Sequence, residues 1–258
     1  MIRVIVLTSS PYGTAARSLP TLVASERINV TSVVLAEGVS NTAASRKRKL
    51  RKIANIGIFG ALNGIRMRSW FRGDSTEHIE TLCDMLHVPF YRTGAINSES
   101  TVALFKAANA DLGLSLGNGY IARRIFSLPR LGMINFHGER LPQYQNAQSV
   151  IWPIYNMETT TGLSIHEIDD KIDTGRILYR EEYPIEFRRS LKDTVIASTH
   201  ITAGKAAVAI RHACENFETL SGGASAQLGG KSYTTPSLSA FLRMLRNNRR
   251  LYEATRQT

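Results

Sequence analysis

Long apolar runs are missing from this chain. In 258 residues no segment approaches the ~20 consecutive apolar residues that cross a bilayer. The run that opens the sequence ends at Leu7, too short for a signal-peptide core, so a cytoplasmic protein is expected. Cysteine is equally scarce. Cys83 and Cys214 each fall on an expected helix without a second Cys or His at ligand spacing, so buried free thiols and no metal site are expected. Acidic residues are few, 21 against 32 Lys and Arg, and the net charge of +11 calls for an anionic ligand or surface. Apolar residues are plentiful at 43%, enough for the core of one large domain or of a domain with a small appendage.

The pattern along the chain is that of an α/β protein. Ile2 to Leu7, Val30 to Leu35, Val88 to Tyr91 and Asp111 to Leu116 read as strands, the first and last of them buried. Helices are expected at Thr14 to Ser25, Thr76 to Leu86 and Glu99 to Asn109. This βαβ rhythm implies a mostly parallel, Rossmann-like sheet with right-handed crossovers. The first turn, Ser9-Ser-Pro-Tyr-Gly13, lacks the Gly-x-Gly-x-x-Gly spacing, which argues against a dinucleotide. An anion held at the following helix N-terminus and a plain structural turn both remain open. Further on, a helix is expected at Ala147 to Met157 with Trp152 packed inward, then strands at Thr161 to Ile168 and Ile177 to Ile185 and a long helix from Leu191 to Asn216. A basic amphipathic helix follows at Leu238 to Tyr252.

The informative stretch is Met133-Ile-Asn135-Phe-His137-Gly-Glu-Arg-Leu-Pro142-Gln-Tyr144. Asn135 and His137 lie two residues apart at a strand end and so share a face, and Gly138 and Pro142 open the strand into a loop. Asn supplies an amide donor that no pH change removes. His supplies a proton acceptor near neutrality, so the pair can hold an oxyanion and take a proton. Asp173, in the turn Asp169-Asp-Lys-Ile-Asp-Thr-Gly175, can supply a carboxylate that fixes the imidazole tautomer and stabilises its cation. His166 alternates with Ser164 on the preceding strand and reads as a packed or hydrogen-bonded strand residue.

Asn-x-His, Leu-Pro-x-Tyr, Thr-Gly-x-x-Ile and Asp-Thr-Gly in this order resemble the folate-dependent formyltransferases, at motif level from about Asp111 to Tyr183. The resemblance implies a Rossmann-like catalytic domain over residues 1–216 with a basic helical insertion at about 40–75. It makes Asn135, His137 and Asp173 the catalytic set and N10-formyltetrahydrofolate the formyl donor. The donor's pterin would be held by Asn118, Gly119, Tyr120 and Ile121, with Ile168, Asp169 and Asp170 across from them. For the acceptor amine, Ser9, Ser10, Tyr12, Glu139, Tyr144 and Asn146 are the candidates. Glu139 stands where the family usually has Ser or Pro, and Gln145-Asn146 where it usually has Arg-Gly.

Residues 217–258 form a short tail, too few for the β-barrel that methionyl-tRNA formyltransferases add after this domain. That argues against transfer RNA and for the branch that formylates nucleotide-linked aminosugars, with GDP-perosamine in O-antigen synthesis as the first guess. A homodimer built through the tail is what that branch suggests, and no DNA partner is expected. Two alternatives stand beside it: the same chemistry on methionyl-tRNA or a ribonucleotide amine, and a non-catalytic module that holds nucleic acid on the same fold. The segment Arg46-Lys-Arg-Lys-Leu-Arg-Lys52 with the apolar stretch Ile53 to Trp70 admits three accounts: a solvated helical face packing Ile56, Phe59 and Leu62 inward, contact with diphosphate or RNA phosphates, or docking on an anionic membrane surface.

Overall fold

The computed structural model describes residues 1–38, 43–71 and 77–256, so the edges of the expected insertion and the start of the helix expected from Thr76 lie outside the described residues. Seven strands form one sheet: β1 (Ile2–Thr8), β2 (Ile28–Ala36), β3 (Phe90–Thr93), β4 (Leu112–Leu116), β5 (Met133–His137), β6 (Thr160–Glu167) and β7 (Ile177–Pro184). Their order is β3-β2-β1-β4-β5-β6-β7. The first five are parallel, and β6 and β7 run antiparallel to their neighbours. The strands read as near-continuous Val, Ile and Leu because helices cover both faces.

On one face α1 (Thr14–Val23), α3 (Ile79–Met85) and the long α7 (Leu191–Glu215) pack over Val4, Val6, Leu112 and Leu114. On the other, α4 (Glu99–Ala108) and the short α5 (Arg123–Phe126) set Phe105 and Ile125 against Ile5, Leu7 and Val34. Ser98 and Ser190 cap α4 and α7 by accepting from the Thr101 and Asp193 amides, as Ser does at a helix start. Cys83 and Cys214 are buried and free, as expected, and burial pushes both thiols up to about 12.

A second cluster lies beyond the sheet edge, where α6 (Ile151–Tyr155), α9 (Leu238–Thr255) and the start of α7 bury Tyr144, Trp152, Tyr233, Phe241 and Met244. Trp152 faces inward as expected, its ring 4.6 Å from that of Tyr233. Residues 217–256 contain α8 (Phe217–Gly222), a connection that bridges Ser225 to Ile177 and Ser232 to Gln145, and α9.

Two elements depart from expectation. The helix expected from Ala147 to Met157 covers only Ile151–Tyr155, because Asn146 and Val150 take φ values of 52° and 62° that no α-helix contains. In α2 (Ala43–Met67), kinked at Gly57 where φ is 73°, Ile56 is buried as expected. Phe59 and Leu62, expected inward, are 69% and 58% exposed. Gly60 and Gly64 hold the inward positions instead and let the helix approach the 235–237 segment closely.

Candidate active site

The sheet order reverses between β1 and β4, and in open α/β sheets ligands bind outside the C-terminal ends of the strands at such a point. A cavity of about 320 Å³ opens beside it, at the ends of β4 and β5. That size is within the ~300–1,000 Å³ of small-molecule sites. Its walls are the 117–121 loop, Asn135 to His137, Asn146 to Gln148, His166 and the 168–173 turn.

Asn135, His137 and Asp173 meet there. Asn135 and His137 project from one face of β5, and Asp173 arrives from the β6–β7 turn at φ 56°, a left-handed conformation that Asp tolerates better than most residues. The turn closes because Gly175 lies against the Glu167 carbonyl, where any side chain would collide. Asp169 builds it from within by accepting from the Lys171 amide at 3.0 Å and the Thr174 hydroxyl at 2.7 Å.

His137 Nε2 lies 2.7 Å from the Tyr144 carbonyl. A carbonyl only accepts, so Nε2 carries the proton and Nδ1 is left as a lone pair. Nδ1 faces Asp173 Oδ2 at 3.5 Å. The Tyr144 backbone therefore sets the tautomer, the task assigned to Asp173 from the sequence, and Asp173 is placed to stabilise the ring once Nδ1 is protonated. Burial lowers the His137 pKa, with Asp173 opposing, so the neutral base is favoured at pH 7. Burial alone would raise the Asp173 carboxyl. The His166 contact, the charges of both imidazoles and the Asn146 amide, which donates to Oδ2 at 2.8 Å, outweigh it and hold the group at about 2.

His166 is a packed, hydrogen-bonded strand residue, as its alternation with Ser164 implied, and it also lines the cavity, which the sequence did not signal. The antiparallel register puts it directly opposite Asn135. Its Nδ1–H donates to the Glu167 carbonyl at 2.7 Å, so Nε2 in the neutral ring accepts from Asn135 Nδ2 at 3.2 Å. Nε2 also lies 3.4 Å from Asp173 Oδ1. One amide hydrogen of Asn135 is thereby fixed, and the second is left for a ligand in the cavity.

The other candidates divide. Asn118, Gly119, Tyr120, Ile121, Ile168, Asp169 and Asn146 line the cavity. Asn118 shapes the loop more than it offers contacts: its amide donates to the Leu7 carbonyl at 2.6 Å and to Ser115 Oγ at 3.1 Å, and its Oδ1 accepts from Ser9 Oγ at 2.8 Å. Ser9 is thus one contact removed from the cavity. Asp170 points away and pairs with Arg123. Ser10 and Tyr12 lie outside the lining, Tyr12 with its ring edge-on to His78.

Glu139 and Tyr144 are corrections, because both side chains are wholly buried. Tyr144 donates its hydroxyl to Glu158 at 2.7 Å and stacks on Tyr233. Glu139 accepts from the Val150 amide at 2.8 Å, the Arg140 amide at 3.1 Å and the Thr161 hydroxyl. Positive φ is an outlier for a β-branched residue, and the Glu139 carboxyl holds Val150 in it. Burial raises the Glu139 pKa to about 7 against these hydrogen bonds.

A reduced pteridine suits what is present. Ile121, Ile168 and Phe136 offer apolar surface to a flat ring, and the backbone of residues 117–121 offers polar groups to its edge.

Among known proteins, the methionyl-tRNA formyltransferase of Flavobacterium johnsoniae is 38% identical over 91 residues, 35% of this chain and 29% of that protein. The GDP-perosamine N-formyltransferase of Brucella melitensis biotype 1 is 31% identical over 144 residues, 55% of this chain and 54% of that protein. The matched stretches thus span from under a third to about half of these curated relatives. A sugar N-formyltransferase structure from a Shewanella species superposes with a TM-score of 0.59 at 14% identity, covering 96% of this chain and 88% of that one, a likeness of fold. Residues 3–209 match the formyl transferase family, a range that holds the sheet through β7, the cavity and all three converging side chains, and the chain belongs to that family.

Proposed function

We propose that the chain transfers the formyl group of N10-formyltetrahydrofolate to the primary amine of a nucleotide-linked aminosugar, with GDP-perosamine as the first candidate. The convergence of Asn135, His137 and Asp173 on a cavity fit for a pteridine carries this reading. The folate, when bound, presents a formyl carbon open to attack by the neutral amine. As the new C–N bond forms, the carbonyl electrons move to oxygen, where the free amide hydrogen of Asn135 meets the charge; such a donor contributes ~3 kcal/mol. His137 Nδ1 takes the amine proton, Asp173 stabilises the imidazolium from 3.5 Å, and as the oxyanion collapses the C–N10 bond breaks and His137 returns the proton to N10, releasing tetrahydrofolate. His166 keeps the Asn135 amide turned toward the reacting oxygen.

The sugar reading is supported by the Brucella relative, whose match extends over more of this chain than the methionyl-tRNA relative's does. The second reading, a methionyl-tRNA acceptor, is favoured by the higher identity of the shorter match. Incubating the protein with formyltetrahydrofolate and a panel of UDP-, dTDP- and GDP-linked aminosugars, a glycinamide ribonucleotide and charged tRNA separates them by mass. One aminosugar should gain CO. Transfer to the ribonucleotide or tRNA alone would overturn the sugar assignment, and salt-sensitive RNA binding that survives Asn135→Ala and His137→Ala without any transfer would favour the nucleic-acid module.

A further inference from the structure

The charge of this molecule is concentrated in two helices. α2 carries seven Lys and Arg and no acidic residue, and α9 carries four Arg and one Glu. Together they hold ten of the eleven net positive charges, so the rest of the chain is nearly neutral.

The apolar pattern of α2 is inverted as well. Ile56, Gly60, Gly64 and Met67 turn toward the protein, where the two glycines fit against Thr235 to Ser237. Ile58, Phe59, Leu62 and Ile65 turn outward, each more than half exposed. Leu50 is exposed one turn from Lys47 and Arg51, which are exposed too. The adjoining α9 adds exposed Leu242 and Leu245, each followed directly by an exposed arginine, Arg243 and Arg246. Two helical segments meeting at Gly57, the first rich in Lys and Arg and the second with large aliphatic and aromatic side chains outward, together have the composition of a surface that lies in a bilayer interface.

We propose that the outer face of α2, extended by α9, docks on an anionic lipid surface, with Ile58, Phe59, Leu62 and Ile65 entering the headgroup boundary and Lys47, Arg51, Arg243 and Arg246 facing lipid phosphates. Charge complementarity selects this occupant. A second copy of the chain meeting the same face would bring two like-charged surfaces together. RNA would use the Lys and Arg residues and leave four outward aliphatic and aromatic groups without a role. No described helix is long and apolar enough to cross a membrane, so the contact is peripheral.

The test is vesicle flotation with the full chain, using phosphatidylcholine vesicles with and without a third phosphatidylglycerol. The protein should float with the anionic vesicles and stay behind with the neutral ones, and raising the salt to 0.5 M should release it. Lys47→Ser and Arg51→Ser should each weaken binding about fivefold. Ile58→Ser with Phe59→Ser should weaken it at least tenfold. All four positions are exposed, and an unchanged melting temperature would confirm folding. Failure to bind anionic vesicles, or binding indifferent to Ile58→Ser with Phe59→Ser, overturns the proposal. So does light scattering that shows a dimer dissolved by those changes, or RNA binding that Lys47→Ser and Arg51→Ser weaken while vesicle binding is untouched.

Discussion

The cavity at the end of β5 and the outer face of α2 break the same rule in opposite directions. Around the first, polar and charged groups go inside: His137 and His166 in its wall and Glu139 and Ser164 behind it are buried. The second leaves Ile58, Phe59, Leu62 and Ile65 in solvent. Burying polar groups is tolerable where each finds a partner, and these four do, through Tyr144, Val150, Leu141, Glu167 and Asn135. Exposing apolar groups has no such remedy among the described residues. The cavity thus satisfies its groups from its own residues, and the α2 face is the one that the proposed lipid contact would cover.

The largest expected effect breaks the cavity side. Asn135→Ala should lower kcat by 10²–10³ and His137→Ala by 10²–10⁴ in a formyl-transfer assay, with the folding transition retained. A loss under tenfold in both would remove the two groups from the chemistry. Next is the pH dependence. Because burial lowers the His137 pKa, kcat/KM should hold as pH falls to the ordinary histidine value of 6.5 and decline only below it, as Nδ1 becomes protonated. Asp173 raises that pKa, so Asp173→Asn should move the acid limb to still lower pH as well as slow the reaction.

Glu139 sharpens the comparison through stability. Its folded pKa of about 7 lies above the ordinary value of 4.5, so the folded state binds the extra proton. Stability from this group is present below 4.5 and lost as pH rises to 7. The wild type should lose about 1–3 kcal/mol relative to Glu139→Gln between pH 5 and 8, read by urea denaturation at each pH. A constant difference would show that the buried carboxyl does not titrate in this range. The smallest effects are on α2. Phe59→Ser and Leu62→Ser should each change stability by under about 0.5 kcal/mol. Gly64→Val, which pushes into Thr235, should cost ~1–3 kcal/mol. Equal costs at Leu62 and Gly64 would mean that the outward face is packed after all.

Much of this was legible in the sequence. Parallel buried strands announce themselves as uninterrupted Val, Ile and Leu, and an Asn-x-His pair at a strand end shares a face by pleat alone. What stayed hidden depends on contacts between distant segments. His166 reaches the cavity only because antiparallel pairing sets it opposite Asn135, and one step of register would turn it away. Glu139 sits in a loop that reads as solvent-facing, yet it turns inward to hold Val150, an unusual backbone conformation that no local pattern signals. On α2 the helical period was visible, but which face is buried follows its glycines: Gly60 leaves room for the Pro236–Ser237 backbone and Gly64 for the Thr235 side chain.

The most direct test of the central claim is a crystal structure of the chain with a non-transferable formylfolate. The pteridine should lie against Gly119, Ile121 and Ile168. Its formyl oxygen should be about 3 Å from Asn135 Nδ2, and His137 Nδ1 should open toward the space left for the amine. A folate bound elsewhere, or bound with Asn135, His137 and Asp173 turned away from its one-carbon group, would contradict the account.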